Sequence, residues 1–103
     1  MRIPKKFKVA GLTITVKDVE YIRDGGVYGD FSDCTQEIRL AKKYFFEGKW
    51  INTSKDLKLR VFLHELVHCF NYYFNTDTDE ALAQTFSSYG IEYLQTAEYD
   101  EEK

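Results

Sequence analysis

A chain of 103 residues has room for one hydrophobic core and no second one. With 44% hydrophobic residues, among them 8 Phe, 8 Tyr and 1 Trp, it is too apolar to remain disordered. At 30% charged residues, with no run near the roughly 18 apolar residues of a spanning helix, it does not read as a membrane protein.

The net charge of −3 gives no general nucleic-acid footprint, so nucleic acid is not an expected partner. The charge is uneven: Arg2, Lys5, Lys6 and Lys8 open the chain, while Glu98, Asp100, Glu101 and Glu102 close it. Both ends read as solvated runs, with residues 1–97 forming a single domain and 98–103 an acidic tail expected to fray. The first twenty residues lack a continuous apolar stretch, so no signal peptide is expected. Two cysteines, Cys34 and Cys69, cannot build a disulfide framework or a four-cysteine zinc site. They read as free thiols in a reducing compartment, the cytoplasm by default.

In chain order, Phe7–Val9 is expected to pair across a Gly11 turn with a strand in which Leu12, Ile14 and Val16 alternate with Thr13 and Thr15. Asp24-Gly25-Gly26 signals a turn. Strands at Val27–Phe31 and Gln36–Ala41 follow, joined as a hairpin by Asp33-Cys34-Thr35. Lys42–Asn52, with Tyr44, Phe45, Phe46 and Trp50 around Gly48, reads as a connecting segment with aromatic anchors. The period then changes. Thr53 followed by Asp56 resembles a capping box ahead of a helix from about Ser54 to Tyr73, apolar nearly all round between Val61 and Phe70 and so expected in the core. A second helix is expected from Thr76 or Asp77 to about Leu94. The fold class is therefore α+β, a small antiparallel or mixed sheet of three to four strands packed on two C-terminal helices.

The first helix carries His64-Glu65-Leu66-Val67-His68, an H-E-x-x-H pattern that contains both histidines of the chain. Residues four apart on a helix lie on one face, so both imidazoles can reach one metal ion. Glu65 projects from the adjacent flank, where it can bond a water on that metal and serve as general base. Ionisable groups set in so apolar a helix would be costly without such compensation. Catalytic zinc takes three protein ligands and keeps one position open. With no histidine left, the third must come from Asp, Glu, Cys or Tyr, and Asp77, Asp79, Glu80 and Glu92 are the candidates in reach. Glu80 is preferred, since it opens the second helix and has Gln84 one turn on to orient it; Asp79 is next. Acidic residues are also common at helix N-termini for the sake of the dipole alone.

Together, His64-Glu65-Leu66-Val67-His68 and the later Glu80-Ala81 pair resemble the gluzincin branch of zincin metallopeptidases. The likeness is to minimal ImmA/IrrE-type and SprT-like domains, often carried by phages and mobile elements. The opening Ile3-Pro4-Lys5-Lys6-Phe7-Lys8 is similar to that of short phage-encoded members, for which the compartment would be the host cytoplasm. The resemblance spans Phe7–Leu94 loosely. It implies a zinc ion (Zn2+) held by His64, His68 and Glu80, a protein or peptide substrate, and peptide-bond hydrolysis with Glu65 as base. It also implies an edge strand that lines the cleft and pairs with extended substrate. By position that strand would be Gln36–Ala41, making Gln36, Glu37, Ile38, Arg39 and Leu40 the substrate-binding residues. The chain lacks the cysteine-rich ribbon common in SprT-like proteases, and Ser87-Ser88-Tyr89 stands where ImmA-type proteins carry Leu-Leu-Met-Pro.

Tyr28, Tyr44 and Tyr89 are candidate donors to an oxyanion, although tyrosines also serve cores as packing residues. Cys69 reads as core, and Cys34 as a turn residue that could approach the metal as a latency ligand. Two other classes of function fit the same residues. One is a catalytically silent, metal-bound module that captures a host factor. The other is a protease of DNA-associated proteins, with Lys5, Lys6 and Lys8 toward the nucleic acid, against which the net charge argues.

Overall fold

The computed structural model describes residues 2–74 and 89–100. Six strands precede the long helix: β1 (Lys6–Val9), β2 (Leu12–Val19), β3 (Gly29–Ser32), β4 (Glu37–Ala41), β5 (Lys43–Phe46) and β6 (Lys49–Asn52), then α1 (Lys55–Phe74). Residues 89–96 form further helical turns. The expected start of that second helix, at Thr76 or Asp77, lies outside the described residues. The architecture is α+β, with the main sheet in the order β1-β2-β4-β3 and β5-β6 as a separate ribbon.

Two tight hairpins rest on backbone that few residues adopt. Ala10 and Gly11 turn β1 into β2 with φ of 52° and 77°, and Glu47 and Gly48 turn β5 into β6 with 50° and 81°. Successive positive φ values are the signature of a two-residue hairpin turn whose twist matches the flanking strands. The segment expected to be a mere connection, Lys42–Asn52, is thus a β-hairpin. Phe45 packs edge-on to Trp50 across it at 5.3 Å, and Lys43 Nζ sits 5.0 Å from the Trp50 ring centre.

Within the main sheet β2 pairs antiparallel with β1 but parallel with β4, while β3 returns antiparallel on β4. One face is apolar. Phe7 stands opposite Ile14, and Val16 opposite Ile38, so alternate residues of each strand line up in rows against α1. The core joins this face to Val61, Phe62, Leu66, Cys69 and Phe70 of α1 and to Tyr93 of the later helical turns. Phe7 lies edge-on to both Phe62 and Tyr93, at 6.3 and 4.9 Å. Each such fully buried side chain contributes about 1.5–3 kcal/mol. The other face is polar, with Lys17 paired to Glu37 and Arg39 to Asp30.

Lys5 and Lys6 meet Glu98, while residues 101–103 of the tail expected to fray lie outside the described residues. The Lys5 N–H donates to the Glu98 carbonyl at 2.7 Å, and the Glu98 N–H donates to the Lys6 carbonyl at 2.8 Å. Ion pairs from Lys6 to Glu98 and from Lys5 to Asp100 follow the same track. Among the described residues, no helix is long and apolar enough to cross a membrane.

Candidate metal centre

Helix α1 starts one residue later than the capping box suggested. The Ser54 hydroxyl, not Thr53, accepts the Leu57 N–H at 3.1 Å. From that start, Phe62, Leu66, Cys69 and Phe70 fall on the stripe facing the sheet. Glu65 stands at the border of this stripe and is only 9% exposed. His64 and His68 lie on the outward side beside it, and both are exposed, as is Leu63. The helix is therefore not enclosed all round. The cost of burying the imidazoles, which favoured a metal from sequence, does not apply to them.

What favours a metal is convergence. Nε2 of His64 and Nε2 of His68 point to one place and stand 3.0 Å apart. Two nitrogens bound tetrahedrally to one zinc, each at about 2.0–2.1 Å, are about 3.3 Å apart. The pair is thus within a few tenths of an ångström of a zinc bite, and imidazole nitrogen is a donor that zinc accepts. Without an ion, the same spacing suits one ring donating Nε2–H to the other.

Among the described residues, Glu65 is the one buried charged side chain. Burial pushes its carboxyl upward, the His68 and His64 imidazoles draw it down, and Asp30 adds a smaller upward push. A carboxyl held this way at the foot of a cleft suits proton transfer better than ion pairing.

The cleft opens above Glu65 and His64. Its volume is about 450 Å³, and one wall is the backbone run Gly26, Val27, Tyr28 and Gly29 leading into β3. The other wall is the first half of α1, with Leu57, Arg60 and Val61. Gly29 makes this approach possible, because a Cβ there would sit 2.5 Å from Val61 Cγ1. Neither Gly29 nor Arg60 stood out as a site residue in the sequence. A glycine inside a strand beside the H-E-x-x-H helix was the available signal for the first.

Several expected residues are elsewhere. Gln36, Glu37, Ile38, Arg39 and Leu40 do not line an open edge, because β4 is an interior strand hydrogen-bonded to β2 and β3. Ile38 and Leu40 point into the core, and Arg39 is paired with Asp30 on the opposite face. The edge beside the cleft is β3. The Ala41 N–H donates to the Tyr28 carbonyl at 2.9 Å, which fixes the alternation: 28, 30 and 32 bond to β4. The N–H and C=O groups of Gly29 and Phe31 then point outward from the sheet. Glu92 is directed to the β1–β2 turn, where its carboxylate accepts the Gly11 N–H at 3.0 Å. Asp77, Asp79, Glu80 and Gln84 lie outside the described residues, and among those described no third ligand joins the two histidines.

Of the three tyrosines, Tyr28 lies on the cleft wall, and Tyr44 supports it edge-on at 4.9 Å. The Tyr89 hydroxyl donates to the Tyr73 carbonyl. Cys34 is exposed in the β3–β4 turn and Cys69 is buried. No family model, no curated protein and no solved structure matches the chain.

Proposed function

We propose that this chain is a zinc-dependent metallopeptidase. The observation that carries the reading is the 3.0 Å convergence of the His64 and His68 Nε2 atoms beside the buried Glu65 at the foot of a cleft. His64 and His68 would hold the ion, with Glu80, or failing it Asp79, as third ligand. When bound, such an ion acidifies a water and polarises a carbonyl.

The chain's own residues do the rest. Glu65 takes a proton from the attacking water and delivers it to the departing amine, a double role that its buried carboxyl beside two imidazoles suits. An extended peptide pairs with the outward N–H and C=O groups of Gly29 and Phe31, which holds its backbone along the cleft. Tyr28 stands on the cleft wall as a hydroxyl donor for charge on the scissile carbonyl oxygen. A cytoplasmic setting suits the free thiols Cys34 and Cys69.

The test joins elemental mass spectrometry to a peptide-library assay on the full chain. Wild-type protein is expected to carry about one zinc per chain and to cleave peptides. His68→Ala should lose both properties, while Glu65→Gln keeps the zinc and the fold but loses hydrolysis. Zinc-loaded Glu65→Gln that cleaves at the wild-type rate would sink the mechanism, and wild-type protein that takes up no zinc on reconstitution would sink the whole reading.

A further inference from the structure

The walls of the cleft beside the histidines are largely apolar and carry one cation. Val27, Leu57 and Val61 supply the apolar surface, and Arg60 stands among them. Arg60 lies one helical turn before His64, so its side chain rises on the same side of α1 as the two imidazoles. Other cations are already engaged elsewhere: Lys58 with Asp18, Arg39 with Asp30, Lys17 with Glu37 and Lys42 with Glu20. Among the described residues no carboxylate pairs with Arg60, although Asp56 stands one turn before it on the same helix. The acidic group that shares the cleft with it, Glu65, is set into its base.

A guanidinium presents a planar fork of donors that matches a carboxylate in two parallel hydrogen bonds. Arg60 is exposed at the rim of the cleft, so its fork is free to meet a ligand carboxylate while the ligand's side chain fills the apolar part beside it. The matching ligand has an apolar side chain to fill the cleft and a carboxylate close beside it.

We propose that Arg60 is a specificity-determining residue which selects a peptide carboxylate next to an apolar side chain seated against Val27, Leu57 and Val61. The inference rests on the peptidase reading for its substrate class, but the selection itself is a binding property. The carboxylate comes either from an Asp or Glu side chain or from the peptide's C-terminus, since both present the same two oxygens to the fork.

The experiment measures fluorescence anisotropy of labelled heptapeptides on the full chain in the Glu65→Gln background, which prevents turnover. Four peptides differ only in Leu-Glu against Leu-Gln and in a free against an amidated C-terminus. The expected result is about tenfold tighter binding of a carboxylate-bearing peptide, of the order of one charge-assisted hydrogen bond. Arg60→Gln should abolish that preference, and Arg60→Lys, which keeps the charge but loses the planar fork, should restore only part of it. A preference tied to Glu assigns the side chain, and one tied to the free terminus assigns the C-terminal carboxylate. Equal affinity for all four peptides, a preference that survives Arg60→Gln, or no binding up to millimolar peptide would each overturn the proposal. Carboxylate selection by a zinc-loaded wild-type chain that cleaves nothing would leave Arg60's role standing and remove the peptidase. Cleavage without selection would do the reverse.

Discussion

Glu65 and Cys69 sit one turn apart on α1, and burial acts on both in the same direction, yet their surroundings give them different chemistry. Glu65 borders two imidazoles that favour its charged form and oppose the effect of burial. Cys69 is wholly buried, and burial pushes its thiol up to about 12. Thiolate, not thiol, is the reactive form, so Cys69 should be inert while the fold is intact. Cys34 is exposed in the β3–β4 turn. Treating the folded protein with iodoacetamide at pH 8 should therefore give a single adduct, at Cys34, by mass spectrometry. A second adduct should appear only in denaturant. Rapid double labelling of the native chain would mean that the part of α1 carrying His68 opens readily.

Around single elements, the helix start and the β3–α1 approach each give a sharp expectation. Ser54→Ala removes the hydroxyl that caps α1 and should cost about 1 kcal/mol in denaturant unfolding. Thr53 behaves differently, since its hydroxyl is buried without a described partner. Thr53→Val should therefore be neutral or stabilising by up to about 1 kcal/mol, which would reverse the ranking that the Thr53/Asp56 capping pattern suggests. Gly29→Ala places a methyl against Val61, and the Arg39 carbonyl stands 3.0 Å away on another side. The expected cost is about 1–3 kcal/mol with a displaced cleft wall, measured as a lower unfolding midpoint and weakened peptide binding.

The same elements show what a single sequence makes legible. Alternation in Leu12–Val16 and Ile38–Leu40, and the change of period after Thr53, mark strands and helix because burial imposes those periods locally. The β5-β6 ribbon was hidden because Lys43-Tyr44-Phe45-Phe46 does not alternate and its Glu47-Gly48 turn lacks the usual Asn or Asp. The motif helix was readable to within a residue or two, and so were the two imidazoles that share its face. Which strand forms the edge was not, because the parallel pairing of β2 with β4 depends on a crossover through β3 that no local pattern encodes. The cleft wall at 26–29 was missed for the same reason: it becomes a wall only when α1 packs against it.

At the scale of the whole molecule, Lys5 and Lys6 near one end of the chain pair with Asp100 and Glu98 near the other. The exposed ion pairs contribute little by themselves, because such pairs are screened and leave long side chains to be ordered. Backbone pairing is the stronger element. The two hydrogen bonds at Glu98, together with the Lys8 N–H donated to the Thr96 hydroxyl at 2.8 Å, cover the outer side of β1. Among the described residues the two edges of the main sheet are thus unlike: residues 96–98 cover β1, whereas nothing pairs along the outer side of β3, whose Gly29 lines the cleft.

That asymmetry can be tested by ending the chain at Ala97. The truncated protein loses both Glu98 hydrogen bonds and should melt several degrees lower, at about 4–8 °C per kcal/mol for a domain of this size. It should also expose a second pairing edge, so its tendency to self-associate at high concentration should rise, as sedimentation would show. Salt separates the two contributions. If backbone pairing holds the end down, 0.5 M NaCl should shift the melting point of the full chain far less than truncation does. Should salt alone reproduce the truncation, the ion pairs hold the terminus. Peptide binding at the β3 side should survive truncation in either case, because nothing from residues 98–100 lines that cleft.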